Sequence, residues 1–188
     1  MKQASSSTSL PKEELANVIT HALGLLICLV ASPVIIVASM KTAEWPIVLG
    51  VCIFCFSMII VYAASTAYHA MINPRLKHIF RIIDHICIYL LIVGTHTPLL
   101  LLYLQNTFGY VVLTILWLLV LVGILYKTFW LGKLEWLSVS LYLAMGWSGV
   151  LTIPYMLEPI SSTSIWWLAI GGISYTCLLY TSPSPRDS

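Results

Sequence analysis

A chain of 188 residues is long enough for one soluble domain, but this one is 60% hydrophobic and only 9% charged, where soluble domains carry roughly 25% charge. Too few polar side chains remain to cover a soluble core, and the mean hydropathy of +0.95 points to an integral membrane protein. The net charge of +2 is no basic footprint for nucleic acid, and the five cysteines suggest no disulfide framework.

In chain order, the polar, serine-rich start predicts disorder over residues 1–12. Lys12, Glu13 and Glu14 separate it from the first apolar run, so it does not read as a signal peptide. Ser9 suits a helix cap, Pro11 the first turn, and the two glutamates the positive end of the helix dipole. Six apolar runs follow, at residues 18–40, 45–68, 82–104, 110–127, 134–156 and 165–180. Most reach the roughly 17–25 residues of a spanning helix; the last is short. Residues 41–44, Asn73-Pro74, 105–109, 131–133 and 158–164 punctuate them. The fold class expected is all-α, a polytopic transmembrane helical bundle over residues 13–180 with six spans present. After Tyr180 the composition changes abruptly, and residues 181–188 read as a non-native or disordered tail.

Lysine and arginine set the orientation. Arg75, Lys77 and Arg81 follow the second run, and Lys127 and Lys133 follow the fourth. The turns after runs three and five have none, and the turn after run one has only Lys41. The amino terminus and the second and fourth turns are therefore expected in the cytoplasm. Trp45, Tyr103, Tyr110, Trp130, Trp136, Tyr155, Trp166 and Trp167 gather near run ends, as interfacial anchors do.

Ser65 and His69 are four residues apart at the end of the second run, so on a helix they share a face with Tyr62. Asp84 opens the third run, and the turn between the runs returns His69 and Asp84 to matched depth. An imidazole and a carboxylate together at a membrane boundary are costly and mark function. On the first run Asn17, His21, Gly24 and Cys28 form one stripe, led by Glu13 or Glu14. On the third, Asp84, Ile88, Leu91 and Thr95 form one stripe, and His85, Tyr89, Ile92 and His96 form another about 100° away. One polar cluster near the cytoplasmic mouth is the expectation. Taken singly, the members have plainer readings. His21, His69 and His85 suit an interface, Ser65 suits a bond to the carbonyl one turn back, and Asp84 suits a helix start. Cys52 and Cys55 suit packing better than metal or redox chemistry. Catalytic zinc takes three protein ligands and one open position for water, and it lowers that water's pKa toward about 7. His69 is one good ligand and Asp84 one good partner for the water. Nothing in the spacing requires His21 or His85 as further ligands.

Several pieces occur in order. They are Glu13/Glu14 and Asn17 with Thr20-His21-Ala22-Leu23-Gly24, then Ser65-Thr66-Ala67-Tyr68-His69, then Arg81-Ile82-Ile83-Asp84-His85 with Tyr89. Gly94-Thr95-His96-Thr97-Pro98 and a compatible Lys133, Tyr142, Gly146-Trp147 region follow. From about residue 13 to 173 the chain resembles the hemolysin III family, the bacterial branch of the progestin and adiponectin receptor (PAQR) superfamily. The resemblance implies a seven-helix bundle with an intramembrane zinc site near the cytoplasm. It makes His69 the zinc ligand of a Ser-x-x-x-His motif, assigns Ser65 and Asp84 to catalysis, and has Glu13, Glu14 and Asn17 line the site. It implies a bacterial inner-membrane protein acting on membrane lipids. The superfamily's likeness to alkaline ceramidases suggests zinc-dependent hydrolysis of a lipid amide or ester. The family's bacterial members are also linked to membrane homeostasis. The family's other two zinc histidines form a His-x-x-x-His pair on the seventh helix. This sequence has no histidine after His96, so it reads as ending before that helix with an incomplete zinc site. A non-catalytic alternative stays open: a pore-forming cytolysin or a membrane-state sensor. The loops are short, and no long amphipathic lytic segment is present. The sequence sets no oligomeric state.

Overall fold

The computed structural model describes residues 10–130, 135–156 and 160–181. Six α-helices follow in chain order: α1 (Lys12–Thr42), α2 (Trp45–Ala70), α3 (Pro74–Tyr103), α4 (Thr107–Trp130), α5 (Glu135–Thr152) and α6 (Ser162–Thr181). A 3-10 turn, Ile153–Tyr155, extends α5, and no strand occurs among the described residues. Among the described residues five segments, in α1 to α4 and in α5 with its 3-10 extension, are long and apolar enough to cross a bilayer. α6 has 20 residues but is not one of these five.

Except for α5, which falls short of its run, the helices outrun the apolar stretches read from the sequence at one end or both, because polar flanks join them. A bilayer offers no water to unpaired backbone groups, which favours continuing the helix. The first two turns of α3 are the clearest case. Asn73 caps the helix, its Oδ1 accepting from the backbone N–H of Arg75 at 3.0 Å and of Leu76 at 3.3 Å, and Pro74 takes the position where no N–H is needed. Arg75, Lys77 and Arg81 therefore lie on α3 itself, not in a basic turn ahead of it. At the other terminus Lys12 is already helical, and Pro11 stands at the N-cap without a side-chain cap bond. The Ser9 cap with the rest of residues 1–9, the 131–133 turn, residues 158 and 159 of the 158–164 turn and all of the tail after Thr181 lie outside the described residues; the end of that last turn, from Ser162, is already helical.

α3 is the central element. It packs against α2, α4 and α5; α1 packs against α2, and α6 touches α5. The apolar core sits on the α4/α5 side: Tyr89, Val93 and Leu100 from α3, Leu116 and Val120 from α4, Tyr142 and Met145 from α5. The rings of Tyr89 and Tyr142 lie 4.4 Å apart between centroids. Gly123 on α4 makes room for Tyr89, since a Cβ there would sit 2.7 Å from that ring. The Tyr142 hydroxyl donates to the backbone carbonyl of His85 at 3.0 Å. Tyr142→Phe is expected to lower stability by about 1 kcal/mol, the usual worth of one such bond, read as a small fall in melting temperature in detergent.

The α1/α2 and α2/α3 contacts use small residues, as helix pairs in lipid do. Gly24 of α1 faces the Tyr62 ring, Gly94 of α3 faces Ser57, and Gly50 of α2 faces the backbone of Pro98. The outward faces are apolar throughout: Leu26, Ile27, Val30 and Val34 on α1 and Leu118, Leu121, Val122 and Leu125 on α4 are exposed. Such continuous apolar surface is a hydrocarbon-facing surface. Trp45, Trp136, Trp166 and Trp167 stand exposed near helix starts, where amphipathic rings meet headgroups.

Candidate functional site

α1, α2 and α3 bring their polar residues together at one end, the amino-terminal end of α1 and α3 and the carboxy-terminal end of α2. The outermost layer is a hydrogen-bonded triad. Glu14, in the first turn of α1, accepts from His69 Nδ1 at 2.6 Å through Oε2 and from Lys77 Nζ at 2.5 Å through Oε1. His69 closes α2 and Lys77 belongs to the first turn of α3, so one carboxylate ties three helices. The three side chains are only 17%, 23% and 31% exposed for His69, Glu14 and Lys77. Lys77 also lies over the Tyr68 ring, 5.4 Å from its centroid, which holds its ammonium in place.

Inside this layer the His21 ring of α1 stacks on His69, with centroids 5.4 Å apart and planes 4° from parallel. Tyr62 tilts against His21 at 6.2 Å. Asp84 of α3 faces buried Ser65 of α2 within hydrogen-bonding reach, and His69 and His21 are close enough to act on its charge. Thr66, next in the chain, instead bonds back to the Tyr62 carbonyl at 2.7 Å.

The sequence-derived residues divide clearly. Glu14, His21, Ser65, His69 and Asp84 share this cluster. Glu13 and Asn17 are exposed, since α1 turns them away from α2. His85 neighbours Asp84 in the chain but turns toward α4 and α5: its Nδ1 lies 2.7 Å from the Arg81 carbonyl, and Lys127 acts on it electrostatically. The structural roles of two lysines were missed from sequence. Lys77 was read only as an orientation charge, although a lysine seven residues before Asp84 lies on the same α3 face, two turns nearer the membrane surface. Lys127, likewise read as a topology marker, is fully buried. His96, on the stripe of His85 and Tyr89, is buried between α3 and α5, with Nδ1 2.8 Å from the Ile92 carbonyl and Nε2 3.4 Å from Ser148 Oγ on α5.

The donor chemistry suits zinc in part. His69 engages Glu14 through Nδ1, so Nε2 is the ring nitrogen that could serve a metal, with the Asp84 carboxylate close by. Among the described residues, however, no three of His, Cys, Asp and Glu converge on one point. The stacked, near-parallel rings of His21 and His69 explain why the second imidazole does not turn its nitrogens to the same point as the first. The described residues therefore offer one candidate ligand and its neighbours, not a closed metal site.

A multi-helix apolar bundle with an ionisable cluster at one end of its first three helices is a multi-pass integral membrane protein with a polar interior site. Its residues 10–187 match the family described as Haemolysin-III related. It is 39% identical over 166 residues to the hemolysin-3 homolog of Bacillus subtilis (strain 168), covering 88% of this chain and 78% of that one. It is 34% identical over 169 residues to hemolysin-3 of Bacillus cereus, covering 90% and 77%. The chain belongs to the hemolysin III family. No solved structure is significantly similar to it.

Proposed function

We propose that this protein lies in the bacterial plasma membrane, the inner membrane where there are two, with its amino terminus in the cytoplasm, and hydrolyses an amide or ester bond of a membrane lipid with the help of zinc. The observation that carries the reading is the meeting of Ser65 and His69 from α2 with Asp84 from α3 inside the bundle, at one depth. Orientation is supported by charge: Arg75, Lys77, Arg81 and Lys127 share the cluster's end, and among the described residues Lys41 is the one lysine or arginine at the other. The cytoplasmic leaflet would then supply the substrate.

His69 Nε2 would be a zinc ligand, and a closed site would take further ligands from outside the described residues. Zinc, when bound, supplies a water of lowered pKa. The chain's own part is to place Asp84 where a carboxylate can accept a proton, with Ser65 holding that carboxylate by a hydrogen bond, and to keep the cluster screened from bulk water beneath the Glu14–His69–Lys77 layer. Membrane homeostasis is the cellular role that fits such an activity.

The test is metal content. The full-length protein, purified in detergent without chelator, is expected to carry about one zinc per chain by elemental analysis. His69→Ala is expected to lose most of it, and equal zinc in both proteins would remove His69 from the site.

The printed names of the relatives favour a second reading, a hemolysin that lyses cells without hydrolysis. It differs in one readout: erythrocyte lysis that persists unchanged in Asp84→Asn would support it.

A further inference from the structure

We propose that Glu14 is a positioning residue for His69, with Lys77 as its anchor, and that it fixes which imidazole nitrogen His69 offers to the site. The inference rests on the reading of His69 as a ligand, but its geometry stands by itself. An ionised carboxylate only accepts hydrogen bonds, so the 2.6 Å contact between Glu14 Oε2 and His69 Nδ1 requires the proton to be on Nδ1. In the neutral ring this leaves the lone pair on Nε2, at the far side of the ring from Glu14.

Lys77 is what makes this exclusive. Its ammonium holds Oε1 at 2.5 Å, so only Oε2 remains for the imidazole. The ammonium is itself held over the Tyr68 ring. His21, stacked flat on the His69 ring, restricts rotation about the axis that would swap the two nitrogens. Three helices thus fix one tautomer. Glu13 cannot substitute, because it is exposed on the other side of α1. Carboxylates that orient a ligating histidine typically change metal affinity about 10–100-fold when removed.

The experiment uses the full chain in detergent with histidine-selective ¹⁵N labelling, at a pH above imidazole titration. Wild-type His69 is expected as the Nδ1–H tautomer. Glu14→Leu is expected to shift it toward Nε2–H, and Lys77→Met to give a mixture. Glu14→Gln keeps the side-chain shape and one acceptor oxygen, and it covers the case in which the leucine variant does not fold. It is expected to give a mixture too, while Glu13→Gln changes nothing. Zinc titration of the same samples is expected to show weakening of about 10–100-fold in Glu14→Leu. A His69 tautomer that stays Nδ1–H in both Glu14 variants overturns the proposal, even if those variants melt earlier, because Glu14 would then be a clamp between helices and no more. Wild-type protein that binds no zinc yet shows the expected tautomer shift upholds the positioning role and defeats the zinc reading above.

Discussion

Replacing Gly50 by leucine is expected to push α3 off α2 and leave most of the protein aggregated or unfolded on size-exclusion chromatography. A Cβ at this position would stand 2.9 Å from Pro98 Cα and 3.1 Å from Pro98 N, with a Leu101 methyl at 3.3 Å. The first two are backbone atoms, so no side-chain rotation relieves the conflict and the helices themselves must separate. Overpacking in a tight interface costs about 1–3 kcal/mol and sometimes more, and this interface is the one that seats α2 on the central helix. In lipid, close backbone approach supplies dispersion contacts in place of a hydrophobic driving force, so the loss is not recovered by burying the new side chain elsewhere. Gly171→Leu is the matched control: nothing lies within 4 Å of a Cβ there, and that variant is expected to elute and melt like wild type. Equal melting of Gly50→Leu and wild type would mean that α2 and α3 do not approach at Gly50 as described.

The fold was largely legible because lipid simplifies the problem. An apolar run long enough to cross must be a helix, and the positions of Pro, Gly and charged residues bound it. The same logic explains the boundary errors: the basic residues after Asn73 looked like a turn, yet an asparagine cap and a proline made them the first turns of α3. Much of the cluster was legible too, because helical period alone places Ser65 with His69 and brings His21 into the stripe that faces α2. Period could not choose between Glu13 and Glu14, since either leads into that stripe; only the seating of α1 on α2 puts Glu14 on His69. Nor could it assign His85, whose stripe diverges by one residue from that of Asp84 and ends against Tyr142 and Lys127. Lys77 and Lys127 were hidden for a different reason. Basic residues near helix ends are counted for orientation, and nothing in their spacing says that one of them closes a triad and another is buried.

Asp84→Asn separates chemistry from architecture by the sign of its effects. Asparagine has the same shape as aspartate and can still accept a hydrogen bond from Ser65, so the α2–α3 contact keeps its geometry. What it cannot do is carry the negative charge or take a proton. Under the hydrolase reading, a variant reconstituted in phospholipid vesicles with zinc is expected to lose about 10²–10⁴-fold in cleavage of a fluorescent N-acyl lipid, the range typical of a removed general base. Its melting temperature is expected to hold or rise, because a charged carboxylate inside a membrane bundle is costly and its removal relieves that cost. Falling activity with constant or rising stability is the mark of a residue kept for function against its own folding cost. A structural Asp84 would behave in the opposite way, with stability lost and any residual activity falling only in proportion to folded protein. If neither quantity moves while erythrocyte lysis is also unchanged, the Asp84 carboxylate has no part in either reading, and the site would have to be sought around Lys127 and His96 instead.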